Sequence, residues 1–400
     1  MKSLLSIYVG LCFISCQPMN QTLDPTHNYS SDSQFLRKHT QGIIELQDAE
    51  GKAKVLLSTE YQGRVMTSTS GGEHGTSYGW LNYDLLSSGQ KKKQFNAIGG
   101  EERLWLGPEG GQYSFYFPHG SSFEMANWQV PALIDTVSYD VVESSSTHAL
   151  FTKKATIANY AGTVFDMLIE RKITLLTKNE IEQTLKTELS SSISFVAYQT
   201  QNQLENIGKV NWTKENGLPS IWLLGMFTPS ESTIIIIPFK VEPNAANQIN
   251  TNYFGEIPSD RLTLKDSVLF FTCDGKYRSK IGLPPSIAKP IAASFDFQKN
   301  ILTLVTFELD NQGEYVNSKW EIQKEPYNGD AVNAYNDGRL ADGTQLGPFY
   351  EIESSSPALA LAVGERGSYK QTTFHAEGDF EALNKLSKKI LGVDLTEIRK

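Results

Sequence analysis

The sequence predicts a mainly β protein: one large antiparallel sandwich closed by a short C-terminal helix. Alternation of apolar and polar residues dominates the chain after residue 40, turn clusters separate the alternating segments at hairpin spacing, and only one segment has helical periodicity. Hairpin spacing favours antiparallel pairing, because parallel strands need long crossover connections. The chain contains no repeat of about 20–50 residues, which disfavours a propeller or a solenoid.

The strand over 165–175 shows the alternation most clearly. Phe165, Met167 and Ile169 fall on one face, whereas Asp166 and Glu170 fall on the other. The same pattern, bounded by Gly, Asn and Asp turns, predicts strands at 43–47, 53–58, 181–189, 193–199, 220–227, 233–239, 267–272, 301–309, 315–323, 349–354 and 358–363.

The helix is predicted over 379–392. Phe380, Leu383 and Leu386 recur at helical spacing, lysines stand between the apolar positions, and Asp379 is a suitable N-cap. We expect this helix to close the end of a sheet.

The first residues predict where the protein is located in the cell. Lys2 precedes an apolar run from Leu4 to Ile14, which is too short to span a bilayer but is typical of a secretion signal. The following Ser15-Cys16 resembles the bacterial lipoprotein box, in which the cysteine is lipidated. We therefore expect a signal peptide over 1–15, a lipidated Cys16 with a polar tether over 16–39, and a single domain over 40–400.

Composition restricts the partners. The formal net charge of −9 argues against nucleic-acid binding, which requires a basic surface. Removal of residues 1–15 leaves Cys16 and Cys273, so no disulfide framework is expected and Cys273 is interpreted as a buried thiol. These features predict a soluble body in the cell envelope that is anchored to a membrane by lipid.

Segment 94–128 is the most unusual stretch, and it supplies most of the candidate ligand-binding residues. Doubled glycines allow a close backbone approach, carboxylates beside an arginine hold polar ligands, and indole or phenol rings suit the C–H faces of sugars. The alternative is a surface hairpin whose charges pair with each other. The candidates in this segment are Glu102, Arg103, Trp105, Glu109 and Tyr113.

Two turn-rich segments supply further candidates. In 326–339, Asn336 and Asp337 could bind a ligand or Ca²⁺, although Asn and Asp beside Gly are also ordinary turn formers. The spacing does not match the helix-loop-helix calcium loop, so no cofactor is predicted and Ca²⁺ alone is kept open. Arg278, at the tip of a predicted hairpin, could bind a carboxylate or a hydroxyl.

Segment 347–379 supplies the candidate catalytic residues. Glu351 and Glu353 share one face of a strand, and His375 follows on a strand expected to be its neighbour. A carboxylate and a histidine that face one cleft would form an acid–base pair, although a structural histidine is the commoner outcome. The chain has no nucleophile elbow, phosphate-binding loop or zinc helix, so those chemistries are not expected.

Five motifs together resemble an uncharacterised family of bacterial lipoproteins with the galactose-mutarotase-like β-supersandwich fold. They are GGEERLWLGPEGGQYS, DGKYRSKIGLPP, NAYNDG, FYEIESSSP and FHAEGD, and the resemblance covers most of residues 40–395. It implies a large antiparallel sandwich whose concave side faces carbohydrate. The fold by itself does not determine the function.

The resemblance also implies a mechanism and exposes a departure from it. Sugar mutarotases use a Glu near the C-terminus as base, which corresponds to Glu351 or Glu353, and a histidine from the middle of the chain as acid. No histidine lies between Ala149 and Phe374, so His119 or His375 would have to substitute, or Arg103 would stabilise the ring oxygen.

Two classes of function therefore stay open. The first is a lipid-anchored carbohydrate-binding protein. The alternative is a carbohydrate-active enzyme, either an aldose 1-epimerase-like isomerase that uses Glu351 or Glu102 with His375, or a polysaccharide lyase or glycosidase. All these hypotheses predict that one cleft contains Glu102, Arg103, Trp105 and Glu351.

Overall fold

The computed structural model describes residues 28–340 and 342–399. The predicted signal peptide and Cys16 lie outside the described residues. The strands, in chain order, are β1 (Ile43–Gln47), β2 (Lys54–Ser58), β3 (Arg64–Thr69), β4 (Arg103–Gly107), β5 (Asp140–Ser144), β6 (His148–Ala158), β7 (Val164–Leu175), β8 (Ile193–Asn206), β9 (Ser220–Phe227), β10 (Thr233–Pro238), β11 (Leu262–Lys265), β12 (Val268–Thr272), β13 (Ser279–Leu283), β14 (Ile291–Asp296), β15 (Ile301–Phe307), β16 (Val332–Asn336), β17 (Tyr350–Ser355) and β18 (Arg366–Gly378).

Short helices connect these strands. The α-helices are α1 (Tyr29–His39), α2 (Tyr83–Ser88), α3 (Lys178–Leu185), α4 (Ala245–Gln248) and α5 (Phe380–Leu391), and single 3₁₀ turns lie at Gly72–His74, Ala132–Ile134 and Leu395–Glu397. Among the described residues, no helix is both long and apolar enough to cross a bilayer.

The strands form three antiparallel sheets. A ten-stranded sheet has the order β11-β12-β10-β14-β15-β18-β8-β7-β6-β5, a five-stranded sheet has the order β13-β16-β17-β9-β4, and a three-stranded sheet has the order β1-β2-β3. This architecture confirms the predicted mainly β, antiparallel fold with a short C-terminal helix.

The five-stranded sheet packs one face against the ten-stranded sheet. Leu104, Leu223 and Ile352 point inward and are almost completely buried in the main hydrophobic core. Between the sheets, Tyr350 Oη lies 2.8 Å from Ser294 Oγ of β14, so the even-numbered residues of β17 point toward the ten-stranded sheet. Because successive strand residues point to opposite faces, Glu351 must point outward, away from the ten-stranded sheet.

A second hydrophobic core covers the opposite face of the ten-stranded sheet. Helices α3 and α5 bury Ile181, Leu383 and Leu386 against Phe374 and its neighbours. Asp379 caps α5 by accepting a hydrogen bond from Ala382 N at 2.9 Å, as predicted. Full burial of each aliphatic side chain contributes about 2 kcal/mol, so this interface holds α5 firmly on the sheet.

Residues 181–189 were predicted as a strand, and this prediction is wrong because they begin within α3. The helix starts with a capping box in which Thr177 Oγ1 accepts from Glu180 N and the Glu180 carboxylate accepts from Thr177 N. These two hydrogen bonds satisfy two backbone N–H groups at the start of the helix, and they outweigh the weak alternation that suggested a strand.

The strands predicted at 315–323 and 358–363 are also absent, because both segments are irregular loops. Tyr315 makes only an isolated bridge to Asn328, and the Leu361 carbonyl accepts from Trp212 N. The end of the predicted tether differs as well, because residues 29–39 form α1. Its Tyr29 and Leu36 are fully buried under the three-stranded sheet.

Candidate functional site

The outer face of the five-stranded sheet carries a row of polar and aromatic side chains. Cross-strand register places Lys280 opposite Tyr335 and Tyr335 opposite Glu351, and it places Trp105 opposite Trp222. Directly opposed residues of antiparallel strands point to the same face. These side chains therefore share the face that points away from the ten-stranded sheet.

Two buried ion pairs lie on this face. Arg103 Nη1 is 2.8 Å from Glu351 Oε1, and Lys280 Nζ is 2.9 Å from Glu353 Oε2. Trp222 Nε1 donates a second hydrogen bond to Glu353 Oε2 at 3.0 Å. The side chains of Arg103 and Glu353 are only 3% and 1% exposed, so both pairs lie in surroundings of low polarity where charges interact strongly.

Indole rings support the two cations. The Arg103 guanidinium lies 4.6 Å from the centre of the Trp105 ring, and Lys280 Nζ lies 5.0 Å from the centre of the Trp222 ring. The two indoles meet edge to face at 5.4 Å. Such cation–π contacts hold a charge in place without using its hydrogen bonds. We call these six residues, Arg103, Trp105, Trp222, Lys280, Glu351 and Glu353, the outer-face cluster.

Two loops form one wall beside the outer-face cluster. Glu109 N donates to Ser318 Oγ at 3.1 Å, which joins the loop after β4 to the loop before β16. From these loops, Trp128 stacks against Tyr116 at 6.4 Å and against Trp320 at 6.1 Å. The charge of Glu109 acts on Lys280 and on Glu353, so this carboxylate faces the cluster from the wall.

The loop before β11 forms the opposite wall. The centre of the Tyr253 ring lies 5.5 Å from Lys280 Nζ. The Tyr253 hydroxyl donates a hydrogen bond to Asp330 and accepts one from Asn333 Nδ2 at 3.1 Å. Its neighbour Phe254 packs under the Arg278 guanidinium at 4.1 Å. This wall is therefore held by a buried hydrogen-bond network and not by apolar packing alone.

Several polar atoms of the outer-face cluster keep unused hydrogen-bonding capacity. Arg103 Nε, Trp105 Nε1 and Glu353 Oε1 are buried and have no hydrogen-bond partner among the described residues. Leaving a buried polar group unpaired costs about 1–3 kcal/mol. Hydrogen-bond donors and a hydrogen-bond acceptor are thus available on one face, which suits a ligand rich in hydroxyl groups.

Burial changes the acid–base properties of the cluster. Loss of solvation raises the pKa of Glu351 to about 7, although Arg103 acts in the opposite direction. For Lys280, burial lowers the pKa, but the charges of Glu353 and Glu109 outweigh it and leave the pKa raised. At neutral pH the cluster therefore combines a carboxylate close to its titration point with a firmly protonated amine.

His375 does not join Glu351, contrary to the predicted acid–base pair. The histidine lies on β18, fully buried between the sheets, where its ring stacks on Tyr78 at 4.3 Å. Its Nε2 lies 3.1 Å from Glu101 Oε2, and its Nδ1 lies 2.9 Å from Thr303 Oγ1. Because β17 separates the two side chains, His375 cannot act on a ligand at Glu351.

Glu102 does not join the cluster either. Its carboxylate accepts from Arg171 Nη2 at 3.0 Å and from Gln371 Nε2 at 2.8 Å, in a fully buried network between the sheets. Burial raises the pKa of Glu102 against the opposing charge of Arg171. Of the four residues expected in one cleft, the structure brings together Arg103, Trp105 and Glu351 and leaves Glu102 behind the sheet.

The remaining candidates lie around the cluster or apart from it. Tyr113 stacks on Tyr327 at 6.1 Å and donates to the Glu215 carbonyl, away from the two ion pairs. Arg278 donates to Tyr335 Oη at 3.2 Å and so lies at the rim.

Asn336 and Asp337 support the local backbone. Asn336 Oδ1 accepts from Gly275 N at 2.8 Å, and Asp337 Oδ2 accepts from Gly347 N at 3.0 Å. These bonds fasten two turns at the end of β16. The described residues contain no group of three or more His, Cys, Asp and Glu arranged to hold a metal ion.

Sequence reasoning missed Lys280 and Trp222. Lys280 was read only as part of a charged hairpin tip, and Trp222 only as part of an apolar strand. Lys280 and Trp222 point outward because they alternate with the inward residues Ile281 and Leu223. The sequence does not indicate which face of the sheet is polar, because that depends on how β13, β17 and β9 assemble.

The fold is galactose-mutarotase-like: the structure of a candidate aldose 1-epimerase from Escherichia coli K12 matches 84% of this chain and 99% of its own, with a TM-score of 0.50 and 11% identity. A galactose mutarotase-like protein from Lactobacillus casei matches 84% of this chain and 100% of its own, with a TM-score of 0.46 and 11% identity.

The sequence comparisons then give the family. No curated protein matches the chain. The family profile of DUF6786, a family of unknown function, matches residues 27–400, and the chain belongs to that family.

Proposed function

We propose that this protein is a carbohydrate-active enzyme of the aldose 1-epimerase type, and that it holds its sugar on the outer-face cluster. The observation that carries the proposal is the buried pair of Arg103 and Glu351 beside unpaired donors and acceptors. The galactose-mutarotase-like fold supports it, because the Escherichia coli protein with the same fold is described as a candidate aldose 1-epimerase.

The cluster has the parts that recognise a sugar ring. Trp105 and Trp222 offer apolar ring faces to the C–H groups of a sugar. Arg103 Nε and Trp105 Nε1 can donate to sugar oxygens, and Glu353 Oε1 can accept from a hydroxyl. A ligand with many hydroxyl groups would satisfy these atoms together.

In the proposed reaction, Glu351 is the base. Its carboxylate removes the proton from the anomeric hydroxyl while Lys280 donates a proton to the ring oxygen, and the bond between the anomeric carbon and the ring oxygen breaks. Rotation of the open-chain aldehyde and the reverse proton transfers close the ring as the other anomer. A base is most effective when its pKa lies close to the working pH, and burial raises that of Glu351 to about 7.

A second candidate is sugar binding without conversion. It is favoured by the positions of the histidines, since the described ones have other surroundings: His119 contacts the Tyr160 carbonyl and His375 contacts Glu101. On either reading, we propose that Cys16 carries a lipid and holds the protein at a membrane of the cell envelope.

Exchange NMR on common aldoses tests the proposal. We expect the protein to accelerate exchange between the two anomers, and Glu351→Gln to reduce that acceleration by about 100-fold or more. Glu377→Gln is the matched control, because this partly buried carboxylate accepts from Tyr78 Oη in a different part of the molecule. Full exchange in Glu351→Gln would exclude Glu351 as the base, and binding without exchange in the unmodified protein would leave the second candidate.

A further inference from the structure

The site has more carboxylates than cations. The charges that act on one another around Lys280 are those of Glu109, Asp330, Glu351 and Glu353, against Arg103 and Lys280. Both cations are engaged, Arg103 with Glu351 and Lys280 with Glu353. Asp330 accepts from the Tyr253 hydroxyl. Glu109 is thus the carboxylate that lacks both a cation and a phenol.

The position of Glu109 suits contact with a ligand. It stands on the wall formed with Trp128 and Trp320, is only partly buried, and forms no ion pair with a described residue. Its backbone is fixed by the bond from Glu109 N to Ser318 Oγ. The N–H edges of Trp128 and Trp320 are directed at the Glu109 carboxylate, and a carboxylate placed in this way can pair with an ammonium group by a charge-assisted hydrogen bond.

The next cation outward gives no free positive charge to the site. Arg278 stacks on Phe254 and donates to Tyr335 Oη, and its charge lowers the pKa of Asp337 against the larger effect of burial. An acidic substituent on the ligand would therefore meet cations that already have partners and carboxylates that repel it.

We propose that the sugar taken by this site is an amino sugar, whose protonated amine pairs with the Glu109 carboxylate beside Trp128 and Trp320. This inference rests on the proposed function, because it assumes that the ring occupies the outer-face cluster. The unpaired Glu353 Oε1 and Trp105 Nε1 then contact the hydroxyl groups of the same ring.

Isothermal titration calorimetry with four probes tests the inference at neutral pH, because burial raises the pKa of Glu109 and acid would remove its charge. The probes are glucosamine, glucose, N-acetylglucosamine and glucuronate. We expect glucosamine to bind about 10-fold or more tightly than glucose, since a charge-assisted hydrogen bond is among the strong ones. N-acetylation keeps the nitrogen but removes its charge, so N-acetylglucosamine should lose the advantage, and glucuronate should bind most weakly.

Glu109→Gln should remove the advantage of glucosamine over glucose. Glu124→Gln, an exposed carboxylate on the same loop, is the matched control and should preserve the advantage. Equal affinity for glucosamine and glucose, or an advantage that survives in Glu109→Gln, would overturn the inference alone if anomer exchange still depends on Glu351. Failure of all four probes to bind would overturn the inference together with the proposed function.

Discussion

Arg103 and Glu351 form an ion pair, 2.8 Å from Nη1 to Oε1, although both side chains are almost completely buried. They stand on β4 and β17, which do not pair directly because β9 lies between them. The contact thus spans three strands of one sheet. Removing one partner of a buried pair leaves a charge without compensation, whereas removing both does not.

Arg103→Leu should lower the free energy of unfolding by about 3 kcal/mol at neutral pH, because Glu351 is left buried without its partner. The double variant Arg103→Leu/Glu351→Leu should regain part of this loss. Urea denaturation of the two variants and the parent measures both effects. A double variant less stable than Arg103→Leu would contradict the assignment of the loss to an uncompensated carboxylate.

The pH dependence of anomer exchange should follow Glu351. Exchange requires the ionised carboxylate, so the rate should rise with pH through about 7, the value to which burial raises this pKa. Glu351→Gln should abolish this rise. A rate in the parent that is flat between about pH 5 and 8 would show that another group limits the reaction.

Stability should change with pH in the opposite direction. The folded pKa of Glu351, about 7, lies above its ordinary value of 4.5, so the folded state binds the proton more tightly than the unfolded chain does. The stabilisation by the protonated carboxyl is complete below about 4.5 and is lost as the pH rises through about 7. Compared with the parent, Glu351→Gln should lose less stability across this window, as measured by thermal unfolding.

His375→Phe should reduce stability without changing the chemistry. The substitution removes the partners of Glu101 Oε2 and Thr303 Oγ1 in a fully buried network, which should cost about 2 kcal/mol. Anomer exchange per folded molecule should stay within about two-fold of the parent, because His375 lies behind the five-stranded sheet. Lost exchange with unchanged unfolding would restore the acid–base role that the sequence suggested.

We propose that Cys16→Ser releases the protein from the membrane fraction, because the proposed lipid anchor is attached through this thiol. Cys12→Ser is the matched control, since Cys12 lies within the predicted signal peptide and should not affect anchoring. Fractionation with mass spectrometry of the N-terminal peptide measures both variants. An unlipidated Cys16 in the mature parent protein would refute the anchor.

The alternation of side chains predicted most of the sandwich, and it failed where local contacts decide the backbone. The strands at 43–47 and 220–227 have the predicted bounds. The segment at 315–323 alternates equally well, yet its backbone is needed to wall the outer-face cluster, where Gln323 Nε2 donates to the Lys319 carbonyl at 2.8 Å. The Thr177–Glu180 capping box was visible in the sequence as a helix signal and was overlooked.

The candidate site was predictable only in part. Glu351 could be named because it shares one face of a predicted strand with Glu353, and Arg103 because it stands beside carboxylates and doubled glycines in segment 94–128. Assigning His375 and Glu102 required knowledge of which face each strand shows to the ligand, and this depends on the partner sheet. His375 lies on the other side of the sheet from Glu351, and Lys280 reaches Glu353 only through the pairing of β13 with β16 and β17.

The tripeptide Glu101-Glu102-Arg103 limits where the chain can accept insertions and deletions. Glu101 and Glu102 anchor the interior through His375 and Arg171, whereas the next residue, Arg103, turns outward to Glu351. A single inserted or deleted residue just before β4 would turn Arg103 and Trp105 inward, because the side-chain period of a strand is two. An insertion scan should therefore find this stretch intolerant even to glycine. Family members that vary in length should place their length changes in the surface loops instead.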